Sequence, residues 1–221
     1  MAIVSMRSKK RMLELSISAL LCYIAFLMQM LCLNYLGIHG ITCDLPLTLI
    51  IVWGLVFGSG LPNLTPRELR RQSLGEVFRR QMASGSHSGF LVGWFFSWLY
   101  FNIQPIYSVK FPLIGWISGY FCLRGLGQGN LLAIPMTFIL TILAEVIMSW
   151  QLVLCHAGAL DISRPAMLFS GDWTKMVFEH LNIIILPEAL LNSIIAPFLY
   201  FPMRRWYEML EGQQQSIPLD D

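Results

Sequence analysis

Six apolar runs, each near the length a helix needs to cross a bilayer, divide this chain of 221 residues, and its basic residues gather in alternate gaps between them. A run of that length can satisfy its own backbone only as a helix once lipid surrounds it. Composition argues that lipid does. Hydrophobic residues make up 56% of the chain and charged residues 13%, with 14 Phe, 7 Trp and 12 Met, whereas soluble domains run near about 25% charged. One core of this size cannot hide so much apolar surface from water, so a water-soluble enzyme and an intrinsically disordered chain are both excluded. The expected fold class is an all-α membrane protein with six transmembrane helices.

The spans are expected at about 15–36, 45–61, 89–106, 111–126, 131–155 and 181–201. The first follows Arg7, Lys9, Lys10 and Arg11 but is too long for a signal-peptide core. Asn34, Tyr35 and Leu36 stand where small residues would mark cleavage, so it reads as a retained helix. The fourth is short and carries Arg124 near its end, as a tilted span with a snorkelling arginine would, or an arm of a re-entrant hairpin. With a cytoplasmic N-terminus, the inner side holds Arg7, Lys9, Lys10, Arg11, Arg67, Arg70, Arg71, Arg79, Arg80, Arg124, Arg204 and Arg205. The outer side holds only Lys110, Arg164 and Lys175. Merging or dropping one span would separate the basic loop from the basic tail, so six spans with both termini inside fit best.

That topology divides the chain into a basic N-terminus (1–11), a six-helix domain (12–206) with a cytoplasmic loop (62–87) and an outer segment (156–180), and a polar cytoplasmic tail (207–221). In the loop, Thr65, Pro66, Arg67 and Glu68 form a capping box with proline at the first helical position. The arginines that follow, Arg67, Arg70, Arg71, Arg79 and Arg80, are placed to meet anionic headgroups or a cytoplasmic partner. In the outer segment, Asp172 caps an interfacial helix carrying Trp173.

Catalytic and metal-binding patterns fail on inspection. Cys22, Cys32 and Cys122 are scattered in apolar runs without a CxxC pair, while Cys43 and Cys155 both fall near the outer surface, where a disulfide between them is one option. Around Gly85, Ser86, His87, Ser88 and Gly89, histidine occupies the place that the GxSxG elbow of hydrolases reserves for serine. The histidines lack an HExxH context. No enzyme activity, metal, cofactor or nucleic-acid partner is therefore expected. Gly115 and Gly119 give the fourth span a small-xxx-small face for close helix packing, within the chain or with a partner.

Carboxylates within the spans are the sharpest signal, because each must face a paired, wet or interior position. Glu145 lies 11 residues before His156 and Glu188 lies 7 after Leu181, placing them roughly 16 and 10 Å below the outer surface. They are expected to share a depth without an obvious cation, since the one arginine in the spans, Arg124, falls at the inner end. A polar outer-half cavity around them follows, with Pro187 kinking the sixth helix and Asn192 one turn beyond Glu188. Such a cavity serves either helix packing by hydrogen bonds or a ligand or partner.

The run Leu186, Pro187, Glu188, Ala189, Leu190, Leu191, Asn192, Ser193, Ile194, Ile195, Ala196, Pro197, followed by Arg204 and Arg205, resembles the last helix of the MreD family of rod-shape-determining proteins. The order of earlier features agrees: a basic start, a second helix opening at Asp44, Leu45 and Pro46, and a glycine-led third helix at Ser88, Gly89, Phe90, Leu91, Val92 and Gly93. The likeness covers most of residues 12–206 and departs from the family where Trp98, Leu99 and Tyr100 replace an Asp-rich element. It implies a multi-pass scaffold in the bacterial inner membrane, linking MreC, the MreB filament and the peptidoglycan synthases of the elongation complex. The family also looks like the six-helix substrate-binding subunits of energy-coupling-factor vitamin transporters. That alternative would make the cavity at Glu145 and Glu188 a vitamin site.

Overall fold

The computed structural model describes residues 2–31, 42–58, 87–101, 109–121, 129–156 and 181–215, and their regular structure is entirely helical. Six α-helices follow in order: α1 (Ala2–Leu31), α2 (Leu45–Phe57), α3 (His87–Phe101), α4 (Lys110–Tyr120), α5 (Gly129–His156) and α6 (Leu186–Gln215). One helix falls on each of the six apolar runs. Two stretches, Leu131–Gln151 in α5 and Ile183–Met209 running into α6, are long and apolar enough to cross a membrane.

The bundle is built around α2. Its residues Leu47, Ile50, Ile51, Val52, Leu55 and Val56 are fully buried, because α1, α3, α4, α5 and α6 all pack against it. A helix that is apolar all the way round has no solvent face to present and so takes the centre. Asp44 starts it: the carboxylate Oδ1 accepts from the Leu47 backbone N–H at 3.0 Å, and Pro46 follows where a missing N–H does no harm.

The neighbouring α4 is only 11 residues long, about 16 Å, roughly half of a hydrocarbon core. It fits tightly between α2 and α3 because glycines remove the side chains at the crossings. A Cβ on Gly89 would strike the Gly115 carbonyl, and one on Gly58 would strike the backbone of Gly119. The two glycines both pack within the chain, Gly115 against Gly89 of α3 and Ile50 of α2, and Gly119 against Gly54 and Gly58 at the end of α2.

Helix ends differ from the expected spans in instructive ways. The first helix begins at Ala2, so the early basic residues sit on the helix itself. The last runs on to Gln215, through much of the stretch expected as a polar tail, aided by an Arg204–Glu208 ion pair one turn apart at 2.9 Å. A π-helical turn at Leu181–Ile185 leads into α6, and Pro187 follows it. Placed there, the proline lacks a donor only in the opening turn of the α-helix rather than in its middle. Arg67, Arg70, Arg71, Arg79, Arg80, Arg124, Asp172 and Trp173 lie outside the described residues.

Around the apolar core, several polar side chains are buried and several large apolar ones face outward. Lys110, Thr137, Thr141, Glu145 and Asn192 are buried, while Trp94, Trp98, Ile194 and Phe198 face outward, Phe198 at 75% exposure.

Candidate functional site

The N-terminal end of α2 is where the polar interior concentrates. Lys110, the first residue of α4, points its ammonium between two carboxylates and is only 2% exposed. Its Nζ donates to Asp44 Oδ2 at 3.1 Å and to Glu145 Oε1. Glu188, in the first turn of α6, completes a trio in which carboxylate oxygens of Asp44, Glu145 and Glu188 all lie within 4.8 Å of one another. Among the described residues, the cation beside them is the Lys110 ammonium, paired with Asp44 and Glu145. Its charge also lies 5.5 Å from the centre of the Phe111 ring, a favourable face for a cation.

A second layer of hydrogen bonds fixes these groups. The Asp44 backbone N–H donates to Asn192 Oδ1 at 2.9 Å, and Asn192 Nδ2 donates to Thr141 Oγ1 at 3.4 Å. The next backbone N–H, that of Leu45, donates to Gln29 Oε1 at 3.0 Å. Thr48 Oγ1 donates to the Asp44 carbonyl at 2.9 Å. These are N–H groups that a helix start leaves orphaned, and side chains from α1 and α6 take them. One locus therefore ties α1, α2, α4, α5 and α6 together.

The arrangement holds fixed charge; among the described residues it lacks a nucleophile paired with a base. Lys110 is closed in, while the Asp44 side chain is 17% exposed and Glu188 is partly exposed, so the cluster opens on the Asp44 and Glu188 side. An ion pair this buried is expensive to form and more expensive to leave half-made, since removing one partner strands a charge, typically at about 3–5 kcal/mol.

Glu145 and Glu188, expected at a shared depth, have carboxylate oxygens within 4.8 Å of each other, with Asn192 and Pro187 on the same opening stretch of α6. The expectation that the two acids lack a cation is corrected. Lys110, assigned from the sequence to the outer loop, is buried between Asp44 and Glu145 because α4 is short and begins at the level of Glu145, 11 residues inside the end of α5 at His156. Sequence reasoning also left out Gln29 and Thr141, and read Asp44 only as a helix start. One signal was available: two acids at one depth need a cation, and Lys110 directly abuts an apolar run. Cys43 is a buried free thiol, and the side chain of Cys155, its expected optional partner, lies outside the described residues.

The other end of α2 is aromatic. Trp53 stacks on Phe57 with ring centres 4.3 Å apart, and Trp206 and Tyr207 of α6 meet Phe57 edge-on at 5.2 and 5.6 Å. The Trp53 indole N–H donates to Ser88 Oγ of α3 at 2.7 Å. Arg205 lies over the Phe201 ring at 4.8 Å.

Comparison of the chain with protein-family models, curated proteins and solved structures returned no match.

Proposed function

We propose that this chain is a multi-pass inner-membrane scaffold of a bacterial wall-elongation complex, a non-enzymatic helix bundle that holds partners in register. The membrane part of this reading is supported by the two helices long and apolar enough to cross a bilayer, and by Lys110, Glu145 and Asn192 being buried while Trp94, Trp98 and Phe198 face outward. Six spans with both ends in the cytoplasm remain the topology that best places the basic residues.

The observation that carries the scaffold reading is the use made of the segment resembling MreD. Asn192 in that segment spends its oxygen on the start of α2 and its amide on α5. Polar groups committed to helix–helix bonds rigidify a bundle rather than await a substrate. On this reading, the arginines of the 62–87 loop face the cytoskeletal side and membrane lipid. The outer segment 156–180 faces MreC, and through it MreB and the peptidoglycan synthases. Depletion of the protein in its own bacterium tests the proposal. Rounded cells with dispersed incorporation of a fluorescent wall precursor are expected, together with co-purification of MreC, whereas unchanged shape and side-wall growth contradict it.

A second reading, a substrate-binding subunit of a vitamin transporter of the energy-coupling-factor type, is favoured by one observation: the charge cluster opens on its Asp44 and Glu188 side. Such a subunit retains a small molecule through purification and depends on ATPase partners. Mass spectrometry of the purified protein separates the two readings.

A further inference from the structure

The helices of the bundle differ widely in length. α4 has 11 residues, whereas α5 has 28 and α6 has 30, which is about 16 Å against about 42 and 45 Å. Both ends of α4 are defined: it starts after Val109 and stops at Phe121, whose backbone N–H turns back to the Ser118 carbonyl at 3.1 Å.

At its inner end α4 is level with its neighbours. Gly119 abuts Gly58, just past the end of α2. Phe57 beside it meets Trp206 and Tyr207, which follow Arg204 and Arg205 on α6. Aromatic and basic residues of this kind mark a headgroup boundary. At its outer end α4 falls short. It runs parallel to α2, with Gly115 against Ile50 and Ser118 against Gly54, so Lys110 is level with Leu45. The 13 residues of α2 put that level about 20 Å above the inner boundary. A hydrocarbon core of about 30 Å then extends roughly 10 Å beyond the start of α4.

The opposite face has no such shortfall. Asn192 of α6 is level with Asp44, whose backbone N–H it accepts, and outward-facing apolar residues continue past that level, Ile183 and Ile184 before α6 and Trp150 on α5. A helix too long for the core tilts or protrudes, whereas one too short thins the bilayer, snorkels or pairs with another protein. Snorkelling is closed to α4, because its one charged side chain, Lys110, turns inward to Asp44 and Glu145. Its outward side is apolar and open: Val109, Pro112, Leu113 and Trp116, with Phe90 of α3, line a groove of about 280 Å³.

We propose that the outer leaflet is thinned where it meets α4, so that the protein carries a dent in the membrane on that face while the α5–α6 face meets a bilayer of ordinary thickness. The partner this surface fits is lipid of short hydrocarbon extent.

The inference rests on the membrane part of the proposed function and not on wall synthesis. Val109 and Leu190 test it, because both are exposed, at 48% and 56%, and both lie at the level of Asp44 on different faces. A nitroxide carried by p-acetylphenylalanine replaces one or the other in the full chain, which keeps its native cysteines. Its depth in dioleoyl phosphatidylcholine vesicles is read from collisions with oxygen and with a water-soluble nickel chelate. The label at 109 should lie about 5–10 Å nearer the outer water than the label at 190. Equal depths, or a deeper label at 109, would overturn the proposal. Shielding of the 109 label from both reagents would do the same, since it marks a protein packed over α4. The unlabelled chain should melt at a lower temperature in dierucoyl than in dimyristoleoyl phosphatidylcholine, and an unchanged or higher temperature in the thicker lipid contradicts the inference. A chain that does not float with the vesicles overturns the membrane reading and this inference together, whereas cells that keep their shape on depletion overturn the scaffold alone.

Discussion

At the Asp44 end of α2, ionisable side chains contributed with three other helices close over a single lysine, whereas at the Phe57 end the same helix meets α3 and α6 through rings and one indole hydrogen bond. Both ends join α2 to α6, yet they differ in what they specify. Charges in a closed space demand one arrangement and penalise every other, because an unpaired partner has no water to turn to. Aromatic pairs are shallower and more permissive, worth about 0.5–1.5 kcal/mol beyond their buried area. The charged end therefore fixes the register of α4, α5 and α6 around α2, and the aromatic end adds packing to a register already chosen.

That contrast can be broken by mutation, beginning where the effect is greatest. Lys110→Met leaves Asp44 and Glu145 without their cation and should cost about 3–5 kcal/mol, read as a fall in folded protein and in melting temperature in lipid–detergent micelles. Gly115→Val forces the α3 and α4 backbones apart at their contact with Gly89; about 1–3 kcal/mol is expected from overpacking, measured in the same assay. Asn192→Leu strips the Asp44 N–H of its acceptor and should cost about 1–2 kcal/mol. Trp53→Phe keeps a ring on Phe57 but loses the bond to Ser88 and part of the contact with Trp206, so about 0.5–1.5 kcal/mol is expected. A ranking in which Trp53→Phe exceeds Lys110→Met would reverse the comparison.

Much of the helical layout was legible in the apolar runs, because a stretch of that length has few other ways to satisfy its backbone. A similar depth for Glu145 and Glu188, with Asn192 one turn on, was legible from counting residues at about 1.5 Å each; that they meet was not. Counting failed for Lys110 for a physical reason. Depth was measured from helix ends on the premise that each helix starts at the surface, and α4, at 11 residues, starts inside. The centrality of α2 was equally hidden: an unbroken apolar run looks the same whether lipid or other helices surround it. Burial on every side is what the structure adds. Gln29 gave no signal at all, since its role is to accept from a backbone N–H that only the fold brings near.

The central claim is that Lys110 and Glu145 exist for one another inside the bundle, and it is tested most directly by placing Glu145→Gln in two backgrounds, the wild type and Lys110→Met. With Lys110 present, loss of the Glu145 charge should destabilise the protein. With Lys110 gone, the same substitution removes an uncompensated negative charge and should stabilise it, inverting the sign of the effect. An equal cost for Glu145→Gln in both backgrounds would contradict the account.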